Sequence, residues 1–73
     1  MKNLKNMLML NKNVICLDYD NEYEVMTFVH KASNVFYEVQ VYNSLYYMAT
    51  LTDDETGEEL GVQLLTASDF ARI

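Results

Sequence analysis

An α+β fold is predicted: a small antiparallel sheet of four to five strands with a short helix near each terminus. Three observations carry the prediction. Residues 35–42, Val-Phe-Tyr-Glu-Val-Gln-Val-Tyr, alternate with period two, and their β-branched and aromatic side chains suit a pleated, half-buried surface. Runs of similar character flank this stretch, separated by short polar segments that read as turns. The stretch Thr66–Ile73 carries the signature of a capped helix.

At the N-terminus, Leu4, Met7 and Leu8 share one helical stripe, and Leu, Met and Lys are good helix formers, which favours a helix over residues 2–9. The competing assignment is a strand at Met7–Leu10, a turn at Asn11-Lys12-Asn13 and a strand at Val14–Tyr19. Both assignments make Val14–Leu17 extended. Tyr23 to His30 is the next strand, with Tyr23, Val25, Thr27 and Val29 on one side, and Lys31–Asn34 is a hairpin loop. The alternating run follows, with Val35, Tyr37, Val39 and Val41 on one face. Tyr46–Thr52 is a further strand. Asp53–Glu58 is the strongest turn signal, because Gly57 accepts positive φ and aspartates bond local backbone. Glu59–Leu65 returns with Leu60, Val62 and Leu64 expected inward. Thr66 or Ser68 caps the final helix, and Asp69 and Arg72 match the helix dipole. The expected core is Val25, Val29, Val39, Val41, Leu51, Val62 and Leu64, on one sheet face and covered by the terminal segments.

A chain of 73 residues makes one domain, 1–73, without proline and with two glycines. Folding buries about 60% of its surface. That leaves one small core and little room for a deep active site, whereas an interface of about 800 Å² per partner fits readily. No apolar run approaches the roughly 20 residues of a membrane span, and the start lacks the apolar segment of a signal peptide. The single cysteine, Cys16, lies between Ile15 and Leu17 and suggests a reduced thiol in a cytoplasmic protein.

Catalytic and metal-binding signals are weak. Cys16 and His30 have no motif that supplies a third, orienting group. Asp18-Tyr19-Asp20-Asn21-Glu22 has the opening spacing of an EF-hand loop, but Tyr23 stands where glycine is needed and Val29 where a bidentate Glu is needed. No glycine-rich phosphate loop is present. No enzyme activity, cofactor or metal is expected.

Charge is the stronger signal. Eleven acidic residues stand against five basic ones, a formal net charge of -6. The acids group as Asp18, Asp20, Glu22 and Glu24, and as Asp53, Asp54, Glu55, Glu58 and Glu59. If residues 18–24 were extended, the first group would form a row spaced about 6.8 Å, matching alternate phosphates of a nucleic-acid strand. The competing reading, which this feature alone favours, is a polar turn around Asp20-Asn21 whose charges serve solubility. Six tyrosines with no tryptophan add aromatic contact area, and Tyr42, Tyr46 and Tyr47 flank one loop. These features point to a protein partner with a basic surface. The expected function is a small inhibitor or regulator of phage or mobile-element type. It docks through these acids and tyrosines on a basic, nucleic-acid-binding surface of a host enzyme, as a nucleic-acid mimic. The alternative is a structural module or homodimer joined through sheet edges or the Met-rich N-terminus.

Direct binding to nucleic acid or to an anionic membrane is disfavoured by this charge. In a mobility-shift titration at micromolar protein and physiological salt, neither duplex DNA nor duplex RNA should move. A shifted band would show that the scattered Lys2, Lys5, Lys12, Lys31 and Arg72 gather into a functional cationic surface.

Overall fold

The computed structural model describes residues 1–73. Its elements are α1 (Lys2–Met9), β1 (Val14–Asp20), β2 (Val25–His30), β3 (Val35–Val41), β4 (Tyr47–Asp53), β5 (Glu59–Leu65) and α2 (Ala67–Ala71). The strands form one antiparallel sheet in sequential order, β1-β2-β3-β4-β5. The chain is thus α+β, with a helix at the N-terminus and another at the C-terminus, and the helical assignment of residues 2–9 is the one adopted.

Both helices lie on the same face of the sheet. Leu4 and Leu8 of α1 and Phe70 of α2 pack against Val14, Met26, Phe28, Val39 and Ala49, and these are the buried apolar residues. The i, i+4 spacing of Leu4 and Leu8 places them one above the other on α1. α2 is short but well anchored. The Thr66 hydroxyl accepts from Asp69 N–H at 3.2 Å, and the Asp69 carboxylate accepts from Thr66 N–H at 2.9 Å, which completes a capping box.

The core differs from the sequence expectation in which strand faces it uses. Val39 is fully buried, and Leu51 packs half-buried against the core. Val25 and Val29, however, lie on the opposite, helix-free face, as do Val62 and Leu64, which are exposed along with Val41. The reason in β2 is volume. Its two faces are both apolar, and the larger Met26 and Phe28 win the covered side. Phe28 stacks on Tyr37 at 4.7 Å and 10°, and meets the Phe70 edge at 6.2 Å and 74°. In β5 the register with β4 shifts between Leu51 and Thr52, where Gly61 takes φ +135. Beyond the shift, Gly61, Gln63 and Leu65 oppose Leu51, Ala49 and Tyr47 on the helix side, leaving Val62 and Leu64 on the open face.

Most of the hairpins are closed by side-chain oxygens. Asp20 Oδ1 accepts from Glu22 and Tyr23 N–H, Asn43 Oδ1 from Leu45 and Tyr46 N–H, and Asp53 Oδ1 from Glu55 and Thr56 N–H. Each is an Asx turn, which supplies a turn without proline. The β2–β3 loop instead uses Asn34 at φ 57, a left-handed conformation that Asn tolerates.

These face assignments predict unequal effects at two valines of the sequence-expected core. Val39→Ala should cost about 2 kcal/mol from lost transfer energy and a residual cavity. Val62→Ala should change stability by less than about 0.5 kcal/mol. Urea midpoints of dilute samples measure both, and equal losses would place Val62 in the core.

Candidate protein interface

A meander sends alternate turns to opposite ends of the sheet. The β1–β2 and β3–β4 turns share one end and lie two strand spacings apart, about 10 Å. The β2–β3 and β4–β5 turns share the other, joined by Asp54 N–H donating to Asn34 O at 3.0 Å.

At the first end the acidic group and the aromatics come together. Asp18 and Asp20 are exposed on β1, and Glu22 and Glu24 are exposed in the turn that follows. Beside them stand Tyr23 at 74%, Tyr42 at 58% and Leu45 at 60% exposure. Residues 20–24 and 42–46 include no Lys or Arg, so the turn tips themselves are acidic with apolar contacts, while Lys5 Nζ stands 4.9 Å over the Tyr19 ring beside Asp18. Asp20 is committed to its turn, and Glu24, at φ 52, accepts from the Met1 ammonium at 3.3 Å. Glu22 forms no ion pair.

The extended acidic row is not formed. The chain is extended only to Asp20 and turns through residues 21–24, because the Asp20 carboxylate captures the N–H groups that follow it. The 6.8 Å phosphate-like spacing therefore has no geometric basis across Asp18, Asp20, Glu22 and Glu24. Tyr47 also departs from the anchor role expected of it. It lies on the helix-covered face, with its ring edge-on to Phe70 at 5.9 Å, while Tyr46 is half-buried. Two further exposed apolar side chains at this end, Tyr23 and Leu45, were outside the expected set. Tyr23 read as the first residue of a strand that begins at Val25, and the Asx turn at Asp20 was the signal that places it outside.

At the second end, Asp54, Glu55, Glu58 and Glu59 are exposed. This end is of mixed charge, because Lys31 N–H donates to Asn13 O at 2.8 Å and brings Lys12 and Lys31 alongside. Asp53 acts structurally here. The N–H groups of Thr56 and then Glu55 hold its carboxyl below the usual carboxylate range. Asp69 is lowered likewise, by Thr66 N–H and hydroxyl bonds first and by Arg72 least.

The other chemically capable groups are dispersed. Burial raises the Cys16 thiol, with Lys5 opposing more weakly, so the thiol is protonated at neutral pH. His30 Nδ1 lies 2.6 Å from Ser33 Oγ. No three His, Cys, Asp or Glu side chains converge as a metal-ligand set, and no helix is long and apolar enough to cross a membrane. An open hollow of about 530 Å³ between the ends of α1 and α2 is lined mainly by Met7, Leu8, Leu10, Phe70 and Ile73, without an acidic or nucleophilic group. No protein-family model, curated protein or solved structure matches this chain.

Asp53 and Asp69 make stability depend on acid in a defined direction. Their folded-state pKa values lie below the unfolded value of about 3.9, so the unfolded chain binds more protons in this window. The associated stability is present above that value and is lost as pH falls through the lowered folded-state values. Melting temperature measured from neutral pH to strong acid should therefore drop below about pH 4. The Asp53→Asn/Asp69→Asn variant, which retains an acceptor oxygen at each site, should show a shallower drop. Parallel profiles would remove these two carboxylates from the acid transition.

Proposed function

We propose that this chain is a small protein-binding regulator that docks through the end formed by the β1–β2 and β3–β4 turns onto a basic protein surface. The observation that carries this reading is the juxtaposition of Asp18 and Asp20 at the end of β1, and Glu22 and Glu24 in the turn that follows, with exposed Tyr23, Tyr42 and Leu45 at the same end of the sheet. The acids raise the association rate through complementary potential, and the apolar side chains give up water on contact and set the lifetime. The surface class with the needed charge is one rich in Lys and Arg, such as a nucleic-acid-binding groove. Occupying that groove makes the chain a stoichiometric inhibitor of a host enzyme, of the kind phages and mobile elements encode. The function is binding, without chemistry at Cys16 or His30.

The second acidic group lies a strand length away, about 24 Å for seven residues, and beside Lys12 and Lys31. It stands outside the same contact patch and serves solubility.

Kinetic titration against a partner captured at low salt tests the assignment. Asp18→Lys/Glu22→Lys should slow association several-fold and flatten its salt dependence, and Tyr42→Ala should speed dissociation. Glu55→Lys/Glu58→Lys should leave both rates near wild type. An association rate unmoved by the first pair and insensitive to salt would make the acidic end merely solubilising.

A further inference from the structure

The two sheet edges differ. β1 is broken by a bulge between Cys16 and Asp18 and carries Asp18 and Asp20, and bulges and charges are devices that keep an edge from pairing. β5 has its irregularity only at its start. Residues 60–65, Leu-Gly-Val-Gln-Leu-Leu, hold no charge and no proline. Leu60, Val62 and Leu64 are 51%, 55% and 46% exposed.

The backbone of this edge is also unpartnered. Tyr42 N–H donates to Tyr46 O at 3.1 Å across the β3–β4 hairpin, and Asp53 N–H to Glu58 O at 2.8 Å across the next. Alternation along antiparallel ladders then directs the peptide groups of Tyr47, Ala49 and Leu51 toward β5. Their register partners, Leu65, Gln63 and Gly61, take up those bonds. The N–H and C=O groups of Val62 and Leu64 point away from the sheet, where no further strand lies.

We infer that β5 pairs antiparallel with β5 of a second copy, about a two-fold axis beside Gln63. In this register Val62 faces Leu64 of the second copy, and both residues present outward peptide groups. The side chains of Val62 and Leu64 meet on the open face, and the two Gln63 amides meet on the helix face.

Charge favours a second copy over a basic peptide. The paired segment is neutral and offers a cation nothing to bind. Glu59, the charge nearest the seam, lies beyond the paired segment at opposite ends in the two copies. The two Glu59 carboxylates are about 27 Å apart, more than three times the screening length of about 8 Å at 0.15 M salt. Each stands opposite Ala67 of the second copy, where the nearby Asp69 is paired with Arg72 at 3.9 Å. A parallel pairing would instead set Glu59 beside its own copy. The remaining repulsion between two chains of charge -6 gives the association a salt dependence opposite to that of docking on a basic surface. The seam is short and buries less than the roughly 1,000 Å² of a stable interface, so the dimer is weak and concentration-dependent.

Sedimentation at increasing protein concentration, up to about 1 mM, together with amide exchange by NMR, tests this. The mass should rise from one chain to two and no further, and the rise should shift to several-fold lower concentration when salt increases. The Val62 and Leu64 amides should slow in step with the mass, while those of Gly61, Gln63 and Leu65 are protected throughout. Val62→Lys, and independently Val62→Pro, should remain one chain in mass with an unchanged circular dichroism spectrum. Asp18→Lys/Glu22→Lys should still dimerise, so loss of the docking function leaves this test intact. A single-chain mass under every condition overturns the inference. So do a folded Val62→Lys that still dimerises, and species larger than two chains.

Discussion

The stack of Phe28 on Tyr37, closed by the edge of Phe70, is the contact on which the rest of the arrangement depends. It joins β2 to β3, and Phe70 fastens α2 to β2 through Phe28 and to β4 through Tyr47. Because Phe28 takes the covered face, Met26 follows it inward, and Val25, Thr27 and Val29 are turned to the other side by the pleat. The antiparallel registers carry the same choice from Met26 through Val39 and Ala49 to Gln63, with Tyr47 and Leu65 on the same face. A one-residue slip in β2 would exchange its faces and set the two smaller valines under α1 and α2. A core with eight buried residues has few contacts to absorb the cavity that would leave.

Asx turns are the second organising device. With no proline in the chain, Asp20, Asn43 and Asp53 each use one carbonyl or carboxylate oxygen to gather two following N–H groups. This gives the acidic residues two different occupations. Asp53 and Asp69 are held by local hydrogen bonds that favour ionisation, whereas Glu22, Glu55 and Glu58 project from turns that others build. Counting acids alone overstates the charge free to meet a partner.

The two surfaces with interaction chemistry lie apart and obey opposite physics. The end bearing Glu22, Tyr23 and Tyr42 attracts opposite charge, and salt weakens such attraction. The β5 edge is neutral, and salt relieves the repulsion between copies. The docking and self-association proposed above therefore use different parts of one small body and are expected to respond to ionic strength in opposite senses.

Local chemistry was sufficient for the elements. The period-two run in residues 35–42, the turn at Asp53–Glu58 and the Thr66–Asp69 cap act over a few residues, so the α+β class and the succession of elements from Val14 onward were legible in the sequence. The choice of helix over strand at residues 2–10 and the order of strands in the sheet were not. The acidic clusters and the tyrosine-flanked loop were legible too, as composition. The choice of buried face was not, because β2 carries apolar residues on both sides and only packing against Leu4, Leu8 and Phe70 distinguishes them. In β5, moreover, the register shift at Gly61 turns the more apolar side, Leu60, Val62 and Leu64, to the open face. Nor was the pairing of Tyr42 with the first acidic turn rather than the second, since residues twenty apart become neighbours only when a meander returns them to the same end. Tyr47 shows the limit most directly. It lies beside Tyr46 in the chain, yet the alternation of β4 and the position of Phe70 turn its ring into the core.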